Sequence, residues 1–136
     1  MMHTPVFAKA RFTITGSREK VRGYSLVDGG MWCTVVGEEL AERIGVEYTG
    51  LTVTLTFPGH KIKCREAIVE YLEVEGRKAP RELVAVCQIP SGVRELLAKQ
   101  GVSGEIVIGV HTLERLGLAV DPVSHSLVES PGVLMI

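Results

Sequence analysis

The sequence predicts a mainly β domain with three short helices, packed as a sandwich or closed barrel. Apolar and polar residues alternate over several runs of strand length, most clearly at residues 6–15 and 51–57. The helical periods are short, and each closes on a glycine, at Gly45, Gly101 and Gly117. The chain of 136 residues shows no repeat of solenoid period and no linker, so residues 1–136 read as a single domain. A domain of this length buries roughly two thirds of its unfolded surface, enough for a core without staples.

In residues 6–15, Val6, Ala8, Ala10, Phe12 and Ile14 fall on one side and Phe7, Lys9, Arg11, Thr13 and Thr15 on the other, the pattern of a half-buried strand. Residues 16–20 are a polar turn, and 21–27 form a second strand-type run leading into Asp28-Gly29-Gly30. After residues 31–36 the period changes. Val36, Leu40 and Ile44 are four apart, Glu38 and Glu39 occupy a first turn and Arg43 a last, and Gly45 follows. These mark a short amphipathic helix whose charges match its dipole.

Leu51, Val53, Leu55 and Phe57 alternate with threonines until Pro58-Gly59, a pair suited to the centre of a type II turn. Beyond it Ile62 and Cys64 alternate with Lys61, Lys63 and Arg65, so the two arms predict a long hairpin. Further strands are predicted at 67–74 and 82–88. Pro90 and Ser91 open a second helix with Val93, Leu96 and Leu97 on one face. A third helix begins near His111 or Thr112 and carries Leu113 and Leu116. Between the two, residues 105–109 have the length of a buried strand. Two short strands follow around 118–120 and 125–128, and the chain ends on Val133, Leu134, Met135 and Ile136.

Hydrophobic residues make up 46% of the chain and charged residues 23%, the balance of an ordinary soluble globule. No apolar run approaches the roughly 18 residues of a membrane span, and the first ten residues lack the pattern of a secretory signal. The expected location is the cytoplasm, away from membranes. The net charge of -1 comes from 15 basic and 16 acidic residues mixed along the chain, which argues against nucleic acid as a partner. Cys33, Cys64 and Cys87 are odd in number and lack CxxC spacing, so reduced thiols are expected rather than a disulfide framework. Asn is absent and only Gln88 and Gln100 are present, a depletion of heat-labile amides met in thermophile proteins.

Two stretches point to chemistry. The first is Ser25-Leu26-Val27-Asp28-Gly29-Gly30-Met31, followed by Thr34-Val35-Val36 and the helix at 38–44. The second is Ile106-Val107-Ile108-Gly109, followed by Leu113-Glu114-Arg115-Leu116-Gly117 and on to Asp121-Pro122. In order and spacing they resemble the retropepsins, the half-size, retroviral-type aspartic peptidases that act as homodimers. The resemblance implies an acid-protease β-barrel with Asp28 as the catalytic carboxylate and the hairpin at Pro58, Gly59 and His60 as a flap over substrate. Taken alone, Asp28-Gly29-Gly30 after an apolar run also fits a hairpin turn in which the glycines supply positive φ.

An aspartic peptidase needs two carboxylates that share one proton, one to deprotonate a water and one to protonate the carbonyl oxygen. The only other aspartate is Asp121, placed in a turn after the closing helix. The second carboxylate is therefore expected from Asp28 of a partner subunit, giving a homodimer that cleaves peptides or unfolded protein. Gly30 matches the family and is expected to donate its N–H toward Asp28. Gly29 departs from it, standing where a Thr or Ser hydroxyl braces the dimer axis. Met31 replaces a small Ala, and Trp32 stands where polar residues often line the groove; as plain strand residues they would only pack. The alternative is a catalytically inactive domain kept for dimerisation or peptide binding. Cys33, His60 and Cys64 fit no structural zinc spacing, and no thiol has a His and carboxylate placed beside it, so no metal, cofactor or cysteine nucleophile is expected.

Overall fold

The computed structural model describes residues 7–57 and 59–130. Strands β1 (Phe7–Thr15) and β2 (Lys20–Asp28) form an antiparallel pair running from Phe7↔Asp28 to Thr15↔Lys20. The alternation in β1 is realised: Ala8, Ala10, Phe12 and Ile14 are buried. Then come β3 (Thr34–Gly37), α1 (Glu38–Ile44), β4 (Glu47–Phe57), β5 (His60–Val74) and β6 (Arg77–Cys87). The chain continues through α2 (Ser91–Lys99), β7 (Ile106–Ile108), α3 (Val110–Leu116), β8 (Leu118–Val120) and β9 (Leu127–Glu129).

Six strands close into a barrel in the order β1-β2-β7-β3-β6-β5, with β5 returning to β1 from Phe12↔Val74 to Thr15↔Tyr71. Closure leaves these strands without a free edge where they pair. The length of β5 makes this possible. Its first part pairs with β4, from Phe57↔His60 to Glu47↔Ile68, and its last residues reach β1. The barrel is filled by Phe12, Ile14, Val27, Val36, Val69, Leu72, Ile106 and Ile108 among others.

Because side chains alternate across a strand, Val35, Cys64, Ala85 and Cys87 face out of the barrel. There they meet Leu55 of β4, Cys33 and Ile89 in a second apolar cluster. Helix α2 covers the neighbouring patch, with Val93 and Leu97 beside Leu26 and Val107.

Helix α1 has the predicted charges, and the Gly45 N–H closes it on the Ala41 carbonyl at 2.9 Å. Gly37 at its N-cap has no side chain to offer. The Glu105 carboxylate instead accepts the Leu40 N–H at 3.3 Å.

Several boundaries move. Met31 and Trp32 are not strand residues: β3 starts only at Thr34, and residues 29–33 form a loop. The runs at 61–65 and 67–74 are one continuous strand. The strand expected at 82–88 begins at Arg77, since Pro80 and the left-handed Arg81 (φ 50°) conceal the earlier part. Pro80 is tolerated because β3 pairs only with residues 84–87 of β6, leaving that side open at Pro80. Val6, Pro58 and residues 133–136 lie outside the described residues.

The expectation of three reduced thiols is corrected. Cys64 and Cys87 form a disulfide, and Cys33 is free and buried. The register explains it: Arg65 pairs with Val86, so the next rung brings Cys64 and Cys87 face to face, with Cα atoms 4.7 Å apart. A spacing of 23 residues in sequence carries no sign of that rung.

Candidate functional site

Strands β2 and β3 follow one another in the chain but do not pair. Strand β7 lies between them, parallel to β2 through Leu26↔Val107 and antiparallel to β3 through Val35↔Val107. The loop from Asp28 to Thr34 therefore has to cross the end of β7. This removes the hairpin-turn reading of Asp28-Gly29-Gly30, and neither glycine takes a positive φ.

The crossing is held by consecutive amides. The N–H groups of Gly109, Val110 and His111 donate to Thr34 Oγ1 (3.1 Å), the Met31 carbonyl (2.7 Å) and the Trp32 carbonyl (2.9 Å). Gly109 is required by proximity, since a Cβ there would collide with the Cys33 carbonyl and stand 2.8 Å from the Met31 oxygen.

Asp28 ends β2, half-buried. Val27 points into the barrel and is fully buried, which puts Asp28 on the outer face of β2 with Leu26. The Gly30 N–H donates to Asp28 Oδ1 at 2.8 Å, and the Met31 N–H to the Asp28 carbonyl at 3.1 Å. One carboxylate oxygen is thus oriented by the loop's own backbone. Gly29 and Gly30 are exposed, Met31 packs on the second apolar cluster, and Trp32 is 57% exposed.

The β4–β5 hairpin occupies the predicted flap position in sequence, and Gly59 has φ 81°, as the third position of a type II turn requires. Leu55, paired with Ile62 two rungs from the turn, buries the tip end of the hairpin against the cluster that contains Cys33 and Val35. His60 is exposed and lines a cavity of about 860 Å³ with Lys61, Lys63, Glu38, Glu39 and Arg94. None of residues 28–32 borders that cavity. Its size does not decide the site, because its walls mix charged side chains with Ile62, Val86, Ile89 and Pro90 and include none of the Asp28 loop.

Asp121 is not brought to Asp28's role. Its carboxylate accepts the Val123 N–H and the Ser124 hydroxyl, both at 2.9 Å, and these bonds hold its pKa below the usual value. It shapes the β8–β9 turn. Burial, and then the charge of Glu66, push the Cys33 thiol up to about 11, so it is a neutral thiol and a poor nucleophile at neutral pH. The disulfide takes Cys64 out of the Cys33, His60 and Cys64 zinc alternative.

Sequence reading missed four residues behind this loop. Thr34 Oγ1 lies 2.7 Å from Thr112 Oγ1, and the Thr112 hydroxyl donates to Glu82 Oε2 at 2.6 Å. Arg115 donates to Glu82 Oε1 at 2.9 Å, and Glu82 is 1% exposed. The signal available in the sequence was phase: Glu82 falls in step with the inward-facing Val84 and Val86. No protein-family model and no curated protein matches this chain.

Proposed function

We propose that the chain is a homodimeric aspartic endopeptidase of the retropepsin type, with Asp28 of each subunit supplying one of two paired carboxylates. The supporting observation is the held loop, in which Asp28 ends a barrel strand and takes the Gly30 N–H at 2.8 Å while the segment after β7 pins the residues that follow. Two such carboxylates brought together share one proton, because like charges at short range push their pKa values apart. The ionised one takes a proton from water as that water attacks the peptide carbonyl. The protonated one gives its proton to the carbonyl oxygen. Substrate lies extended between the Asp28 loop and the β4–β5 flap, gaining backbone hydrogen bonds in the manner of an added strand.

The disulfide together with the absence of Asn fits the cytoplasm of a heat-adapted cell, where intracellular disulfides persist. The test is hydrolysis of an unfolded protein from acid to neutral pH by wild type and Asp28→Asn. Wild type cleaves and the variant does not; equal residual activity in both removes Asp28 from the chemistry. Gly29→Thr, by restoring a hydroxyl that braces the pair, raises the rate, and a lower rate contradicts the bracing argument.

A second reading, a catalytically inactive domain of the same fold that dimerises or binds peptide, is favoured by Gly29, which has no hydroxyl to brace the loops. Binding of unfolded protein without cleavage, unchanged in Asp28→Asn, is its signature.

A further inference from the structure

We infer that Glu82 is a positioning residue for the Asp28 loop, acting through Thr112 and Thr34; this rests on the reading of Asp28 as the catalytic carboxylate. Glu82 is almost wholly removed from water, a costly place for a carboxylate unless it is paired. Its partners are the Arg115 guanidinium at 2.9 Å, the Thr112 hydroxyl at 2.6 Å and, more loosely, the His111 ring at 3.6 Å.

The pairing fixes the sense of every bond in the chain. A carboxylate paired with arginine only accepts, so the Thr112 hydroxyl donates to it. Thr112 oxygen is then the acceptor for the Thr34 hydroxyl, and Thr34 oxygen accepts the Gly109 N–H. The two threonines stand at the two anchors of the loop: Thr34 opens β3, and Thr112 lies in the first turn of α3, next to the amides that hold Met31 and Trp32. One buried carboxylate thereby selects a single rotamer at both anchors.

An apolar side chain of similar volume would fill this space as stably as a buried ion pair does. What it would lack is the directional chain to Gly109. The chain's product is therefore placement rather than stability.

Thr112→Val removes the hydroxyl at constant shape, and Thr112→Ser returns it. The expected result is a kcat for peptide cleavage about tenfold or more lower in Thr112→Val, with KM within about twofold, and recovery in Thr112→Ser, since small misplacements near the reacting groups are costly. Amide hydrogen exchange at Gly109, Val110 and His111, followed by NMR, accelerates in Thr112→Val and returns to the wild-type rate in Thr112→Ser. An unchanged kcat in folded Thr112→Val, or exchange at these amides no faster than in wild type, overturns the assignment. If Thr112→Val does not fold, Glu82→Gln takes its place: a lower kcat with faster exchange supports the assignment, and wild-type values of either overturn it. If wild type shows no Asp28-dependent cleavage, the peptidase reading fails, and exchange at the three amides alone decides whether Glu82 holds the loop.

Discussion

Cys33 is 6% exposed in the apolar cluster that holds Val35 and Leu55, with a pKa raised to about 11 by burial and by Glu66. The unfolded thiol ionises near 9 and the buried one only near 11, so the folded state resists an ionisation that the unfolded chain undergoes freely: stability is full below about pH 9 and falls as pH rises from about 9 to about 11. Between those values wild type loses about 2 kcal/mol more than Cys33→Val, measured by urea unfolding at each pH. Gly109 makes a second prediction at this scale. A methyl group there meets the Cys33 and Met31 carbonyls, so Gly109→Ala lowers the unfolding free energy by about 2–3 kcal/mol and abolishes cleavage. Wild-type stability in that variant contradicts the close crossing. Asp28, Gly30 and Gly109 were legible in the sequence because each sits in a short local pattern. Glu82, Thr34 and Thr112 were not, because their meeting depends on which strands lie side by side.

The β5–β6 hairpin shows what local pattern reveals and what it hides. Alternation exposed residues 67–74, and Glu75 and Gly76 both take the positive φ of a tight hairpin turn. Pro80 and Arg81 break the alternation and hid five residues of β6, from Arg77 to Arg81. The disulfide was hidden by register, which no spacing rule encodes. Closing a loop of 23 residues restricts the unfolded chain by about 3 kcal/mol. Reduction with a dithiol, or the pair Cys64→Ala and Cys87→Ala, lowers the urea midpoint by the equivalent of that amount. An unchanged midpoint means the bond adds nothing to stability. In β7, three apolar residues were read correctly as a buried strand, yet their place between β2 and β3, which creates the loop crossing, is visible only in three dimensions.

At the scale of the whole molecule, the mainly β architecture followed from alternation and short helices. Barrel closure did not, because it depends on a 15-residue β5 that changes partners from β4 to β1 along its length. Each chain offers one oriented Asp28, while Asp121 is spent on a turn. Cleavage by paired carboxylates therefore demands two copies, and this demand can be counted. Wild-type and Asp28→Asn subunits are mixed at fixed total concentration, allowed to exchange, and assayed on an unfolded protein. A shared site requires the rate to follow the square of the wild-type fraction, so an equal mixture keeps about a quarter of the activity. A rate that falls in simple proportion to the wild-type fraction, or cleavage by Asp28→Asn alone, contradicts a catalytic pair of Asp28 residues.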